Sequence, residues 1–343
     1  MNNRIIYVDL LRITATFSVV LLHVAAGNWG NAALGTYEWN VFNFYDSLVR
    51  FGVPIFVMIS GMFLLNPAKN ISYKDIYSKY ILRIVIAFIS WSLLYAAYAN
   101  ISNYDTFNRQ AFIKSFMFGH YHLWYLYMIV GLYVITPFLR KIAVDKKAAE
   151  YFLLLSVIFT SVLPITIKIF NLTGLDIFIN KFDLFFTYGY VGYYVGGYYL
   201  SKYTFNKSIR NIIYILGILG LVCTYVFTNI ISLRTGKADS TFYSYFAPNV
   251  MVVSIAVFTF FKYEVSKIKF NQNTSKFIYI LSDCSFRIYL VHDFFNMFIL
   301  KAGINTLNYN PALSVIFVAI TVFMGSLATS FLIGRTPLLK RIL

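Results

Sequence analysis

The chain has 343 residues, of which 59% are hydrophobic and only 12% charged, and its mean hydropathy is +0.68. Such values exclude a water-soluble globular domain and predict an all-α polytopic membrane bundle. The net charge of +16 suggests a nucleic-acid partner, but its placement along the chain gives a better account as a topology signal, and no nucleic acid is expected.

Ten apolar spans are predicted. The first, about 5 to 26, carries Arg12 and His23 in an otherwise almost wholly apolar stretch. An arginine near the centre of a membrane helix costs about 2.5 to 3.5 kcal/mol on insertion scales, so both residues are functional candidates. The eleven positions between them make close to three helical turns, which sets both side chains on one face roughly 16 Å apart. One wall thus carries a fixed cation and, further along, a titratable imidazole. Ala25 and Ala26 resemble a signal-peptide cleavage site, but the length of the span and Arg12 predict a retained helix.

The second span, 41 to 65, holds Asp46 and Arg50 four apart, a spacing that permits an ion pair. Asp46 lies at a depth close to that of His23 and is a candidate to orient its imidazole. Gly52-Val53-Pro54 and Ser60-Gly61 free backbone groups, which a membrane tolerates only against protein or a water-filled cavity. At the mouth of the third span, 80 to 99, Lys79 and Arg83 are four apart and with Arg12 are candidates to grip a phosphorylated cofactor; positive-inside anchoring explains the first two equally well.

The fourth span, 120 to 139, opens with His120 and His122. Two residues apart on a helix point to different sides, and the nearby carboxylates have no recognised metal spacing, so no metal is expected. The fifth span runs 149 to 170. The sixth, 183 to 200, contains Gly192 and Gly196 in a G-x-x-x-G pattern suited to close helix packing, in a chain whose packing glycines permit a homodimer. The seventh and eighth run 211 to 231 and 247 to 262. The ninth, 277 to 300, holds Asp283 and Arg287, expected to neutralise each other, and His292. The tenth runs 311 to 334. Cys223 and Cys284 fall in separate spans and are assigned to packing.

With the N-terminus inside, nineteen of the 29 Lys and Arg residues fall in cytoplasmic stretches, seven in external ones and three within spans. That asymmetry predicts both termini in the cytoplasm. All four histidines then lie in the outer half, where a proton would be handled. No loop is long enough to fold alone, so residues 1–343 are expected to form one domain in the cell membrane. The missing repeat between halves disfavours transporters built from inverted repeats.

Several segments match a known family in order. They are Asp9-Leu10-Leu11-Arg12 followed by His23 (R-x10-H), Gly52-Val53-Pro54-Ile55-Phe56 through Ser60-Gly61, His122-Leu123-Trp124-Tyr125-Leu126, Ser285-Phe286-Arg287-Ile288-Tyr289-Leu290-Val291-His292, and Pro337-Leu338-Leu339. Nearly end to end, the chain resembles the acyltransferase 3 family of integral membrane acyltransferases. It departs from the family's R-x-x-x-R at the third span, where it has Lys79 and Arg83, and Arg287 and Asp293 add charge around the last histidine motif.

The resemblance implies acyl-CoA, usually acetyl-CoA, as a donor entering from the cytoplasm, and an extracytoplasmic carbohydrate, first of all a capsular or other surface polysaccharide, as acceptor. It assigns His23 as general base with Asp46 as its orienter, or else as a transient acyl carrier. Arg12, Lys79, Arg83 and Ser60 then fall to the donor; His122, Tyr125 and His292 line the acceptor side or hydrogen-bond the oxyanion. Two other classes remain open, a secondary transporter or polysaccharide exporter and a non-catalytic partner in envelope assembly.

Overall fold

The computed structural model describes residues 4–103, 106–172, 174, 175, 177, 181 and 187–336. The described residues form helices and turns without strands. Among the described residues, eight helical stretches are long and apolar enough to cross a membrane. The spans read at 183 to 200 and 277 to 300 correspond to the helices Val191–Lys202 and Gln272–Lys301, which fall outside those eight. The former has 12 residues, and the latter has 30 but carries Asp283, Arg287 and Asp293.

The solvent pattern is that of a bilayer protein. On the helix Lys207–Thr235 the buried residues are Gly217, Gly220, Thr224, Thr228 and Ser232, whereas Ile215, Ile218, Leu219, Val222 and Ile230 are exposed. Small and polar groups face inward and branched aliphatic groups outward, the reverse of a soluble helix. Each buried hydroxyl needs an acceptor, and Thr224 finds one in its own helix by donating to the Gly220 carbonyl at 2.7 Å.

At the centre stands α1 (Ile6–Trp29), packed against α2 (Tyr37–Val49), α3 (Gly52–Leu64) and the helices Gln272–Lys301 and Pro311–Arg335. The crossing read as one span from 41 to 65 is built from two helices that meet at Arg50 and Phe51, just before Gly52 and Pro54. Thr36 starts α2 by accepting the Trp39 amide. Close packing of α3 depends on Gly61 and Gly197: a Cβ on the first would collide with the Tyr194 backbone, and one on the second with the Met58 backbone. These two glycines form the tight contact between α3 and Val191–Lys202. The Gly192 and Gly196 pair singled out in the sequence instead faces Ser156 and Leu153.

Two further departures bear on the site. The span expected to begin at 120 is helical only from Trp124; His120 is extended (φ −68°, ψ 152°) and a single 3-10 turn covers Tyr121–Leu123. Before the third span, a capping box of Ser72 and Asp75 leads into a wide π-type turn over Ile76–Ile81, a distortion often found at functional sites. The segment Pro337-Leu338-Leu339 lies outside the described residues.

Candidate functional site

One cavity of about 610 Å³ opens at the end of the bundle that the charge count assigns to the cytoplasm. Arg4, Arg12, Lys69, Lys79 and Arg83 all line it. Arg12 faces the Gln272–Lys301 helix, not lipid: its Nη1 donates to Ser282 Oγ at 3.1 Å and lies 3.6 Å from Asp9 Oδ1. Ser282 in turn donates to Asp9 Oδ1 at 2.6 Å, and Arg4 Nε sits 3.3 Å from Asp9 Oδ2. The shared carboxylate offsets part of the cost of two guanidinium groups at this depth.

Lys79 pairs with Asp75 at 2.5 Å but is 71% exposed, so that contact contributes little to stability. Lys69, in the loop after α3, stands largely exposed at the cavity wall, and partial desolvation there holds its ammonium below the usual lysine value. Asp283 and Arg287 make the expected pair at 2.8 Å, with Asp283 also lining the cavity.

Deeper in, the lining turns apolar and phenolic, through Val53, Phe56, Ile59, Ser60, Tyr125, Tyr133 and Tyr289. Ser60 donates to the Phe56 carbonyl at 2.9 Å and lies within reach of the Tyr125 and Tyr133 hydroxyls. Along α1 the cavity extends from Arg12 to Val19, which is one turn, about 6 Å, short of His23. Tyr125 and Tyr289, with ring centroids 5.5 Å apart, stand at this end. The Tyr289 hydroxyl donates to the His122 carbonyl and so ties the cavity's ceiling to the next layer.

That layer is a cluster of imidazoles. His23 and His292 lie parallel, with centroids 5.0 Å apart, and His23 Nδ1 is 2.7 Å from His292 Nε2. His292 Nδ1 lies 2.7 Å from the Tyr289 carbonyl. A carbonyl only accepts, so Nδ1 of His292 carries the proton, and in the neutral ring Nε2 is bare. His23 must then donate through Nδ1. Its Nε2 is left with a free lone pair, the state a general base requires.

Asp46 does not orient this ring in the way its depth suggested. Its carboxylate is fully buried and engaged by Arg50 at 2.5 Å, and Arg50 in turn sits 4.1 Å over the Tyr243 ring. An arginine four residues away on the same chain segment outcompetes a neutral imidazole for the carboxylate. His292 occupies the position next to Nδ1 of His23.

The remaining histidines also converge. His120 Nδ1 lies 3.1 Å from His122 Nδ1 and 3.4 Å from Asp293 Oδ2. Helical geometry was the reason for expecting these two histidines to diverge, and the extended His120 removes it. Tyr95 stacks on His120 at 4.5 Å, and Tyr121 meets His23 edge-on at 5.3 Å. Sequence reasoning missed Tyr121, Tyr95 and Asp9 as supporting residues. The signal for Asp293 was a carboxylate inside an apolar span beside a histidine.

Fold and site together define a multi-pass membrane protein whose polar interior has two ends, a cation-lined cavity and an imidazole cluster. The chain belongs to the acyltransferase 3 family, whose profile, described as an acyltransferase domain, matches residues 5–335. It is accordingly a membrane acyltransferase. No curated protein and no solved structure matches it.

Proposed function

We propose that the protein moves an acetyl group from cytoplasmic acetyl-CoA to a hydroxyl of an extracytoplasmic cell-surface carbohydrate, with His23 as general base. The observation that carries this reading is the cavity that begins among five cations and ends one turn below His23. Coenzyme A bears its phosphates at one end and its thioester at the other, so a donor with phosphates on Arg4, Arg12, Lys69, Lys79 and Arg83 directs its pantetheine arm along the α1 wall. The span from Arg12 to His23, roughly 16 Å, is comparable to that arm.

In the reaction, Nε2 of His23 takes the hydroxyl proton as the alkoxide oxygen attacks the thioester carbonyl. The C–S bond breaks, and the thiolate leaving group receives the proton back from the imidazolium, giving ester and free CoA. His292 holds the ring through Nδ1 and spreads the positive charge of the imidazolium. Passage of the acetyl group requires the Tyr125 and Tyr289 rings to part. A second cavity of about 420 Å³, with Arg50, Ser161, Lys168, Tyr243, Tyr245 and Phe246 in its wall, offers hydroxyl, cationic and aromatic surfaces to a sugar.

The test compares surface glycans from wild-type and deletion cells by NMR and adds turnover by purified protein. Loss of acetyl resonances in the deletion, with acetyl-CoA consumed by the pure protein in the presence of that glycan, is expected. Unchanged glycans together with no CoA release would remove the proposal.

A further inference from the structure

We infer that His120, His122 and Asp293 form a binding site for a zinc-class divalent cation beside His23. Three observations carry this. The ligand atoms of the three residues all lie within 4.8 Å of one another, with two of the separations 3.1 and 3.4 Å. Bonds of about 2.0 to 2.1 Å at a tetrahedral angle put neighbouring ligand atoms about 3.3 Å apart, so two edges of the coordination figure are already in place.

Charge is the second observation. Asp293 is 2% exposed, and the partners of its carboxylate are the Tyr121 hydroxyl at 2.8 Å, the Asn296 amide at 3.3 Å and His120. Among the described residues it has no Lys or Arg partner. A buried carboxylate without a fixed cation is costly, and a divalent ion among these atoms supplies the missing charge.

The third is the supporting shell. Tyr121 and Asn296 both bind Oδ1, which leaves Oδ2 turned to the histidines. Stacking of Tyr95 on His120 fixes that ring, and His122 is held 1% exposed between Tyr95 and Tyr289. Hydrogen bonds from outside the site orient the carboxylate, as is typical of metal ligands, while the two imidazoles are set by ring packing, and His122 Nε2 is buried without a hydrogen-bond partner. Two imidazoles and one carboxylate suit zinc and leave a fourth position open, as in catalytic sites. His120 keeps 22% of its side chain exposed, which gives the ion an entry path. Resting on the function proposed above, the open position would take the acceptor hydroxyl, weakening its O–H bond next to the bare Nε2 of His23.

The experiment reads metal directly. Protein purified on a histidine-free tag is analysed for metal content, then stripped with a chelator and titrated with Zn²⁺ and with Co²⁺, whose tetrahedral complex absorbs strongly in the visible. Close to one equivalent of zinc per chain is expected, with restored binding after stripping and an intense cobalt band. His120→Ala and Asp293→Asn should each lower the affinity at least tenfold while the variants elute as the wild type does. If stripped wild-type protein binds neither ion below millimolar concentration, or if both variants bind as wild type does, the site does not exist. Acyl transfer is measured on the same samples. Metal-free protein that still transfers acetyl overturns the ion's part in the reaction and leaves the binding site standing, whereas metal-loaded protein that never transfers acetyl overturns only the function.

Discussion

The two ends of the polar interior are built on opposite plans. At the inner end, long cationic side chains line a cavity open to water and share few partners. Lys79 is mostly exposed, and Arg12 keeps 27% of its side chain accessible while sharing one carboxylate with Arg4. At the outer end, short rings are fixed by backbone carbonyls and by one another, with His122 at 1% and His292 at 0% exposure. The first arrangement attracts charge and tolerates a range of poses; the second fixes which nitrogen bears a proton. Binding a donor and activating a nucleophile ask for those different kinds of order.

The comparison breaks most visibly at His23. A general base contributes about 10²- to 10⁴-fold, so His23→Ala should lower acetyl transfer by that factor with acyl-CoA affinity unchanged, as measured by radiolabel transfer and calorimetry on purified protein. Transfer near the wild-type rate would dissolve the distinction between the two ends. Next comes His292→Ala, which removes the acceptor for Nδ1 of His23. Expected is a loss of about tenfold to a hundredfold in kcat at constant KM for the donor, partly recovered in His292→Gln, whose amide oxygen accepts the same proton. Full activity in the alanine variant would show that His23 needs no orienter.

Changes at the inner end should act on binding. A hydrogen bond to a charged group contributes about 1.5 to 3 kcal/mol, so Arg12→Ala should raise KM for acyl-CoA by about ten- to a hundredfold with little change in kcat. A fall in kcat alone would place Arg12 in the chemistry. The smallest effect belongs to Lys79→Ala, since water and salt screen an exposed paired lysine; KM should rise less than about fivefold and lose that difference at high salt. A larger shift would mean that the cavity closes around this side chain when the donor binds.

Much of the inner end was legible in the sequence because it depends on single-helix geometry. Arg12 and His23 share a face by periodicity alone, and the structure lines the cavity with Arg12, Lys79 and Arg83. The outer end depends on contacts between segments far apart in the chain. His23 meets His292 across 269 positions, which no local pattern announces. Depth along the membrane suggested Asp46 as the orienter, but depth fixes only one coordinate, and Arg50 takes that carboxylate. Two residues apart on a helix, His120 and His122 diverge; one extended residue at the start of the span is enough to turn the two rings together. In the fold, a G-x-x-x-G pattern identified a real contact, while the tighter approach at Gly61 and Gly197 had no spacing signature because its two halves lie on different helices.

The cavity's end at Val19, with Tyr125 and Tyr289 across from it, also bears on the energetics of the cell. A continuous wet passage lined by arginine and histidine would be a conduit for protons and would drain the electrochemical gradient that the membrane maintains. Phenolic rings set edge to face over a single helical turn keep that circuit open while leaving only a thin barrier for an acyl group to cross. Thinning the plug, by Tyr289→Gly for instance, should make vesicles that contain the protein leaky to protons.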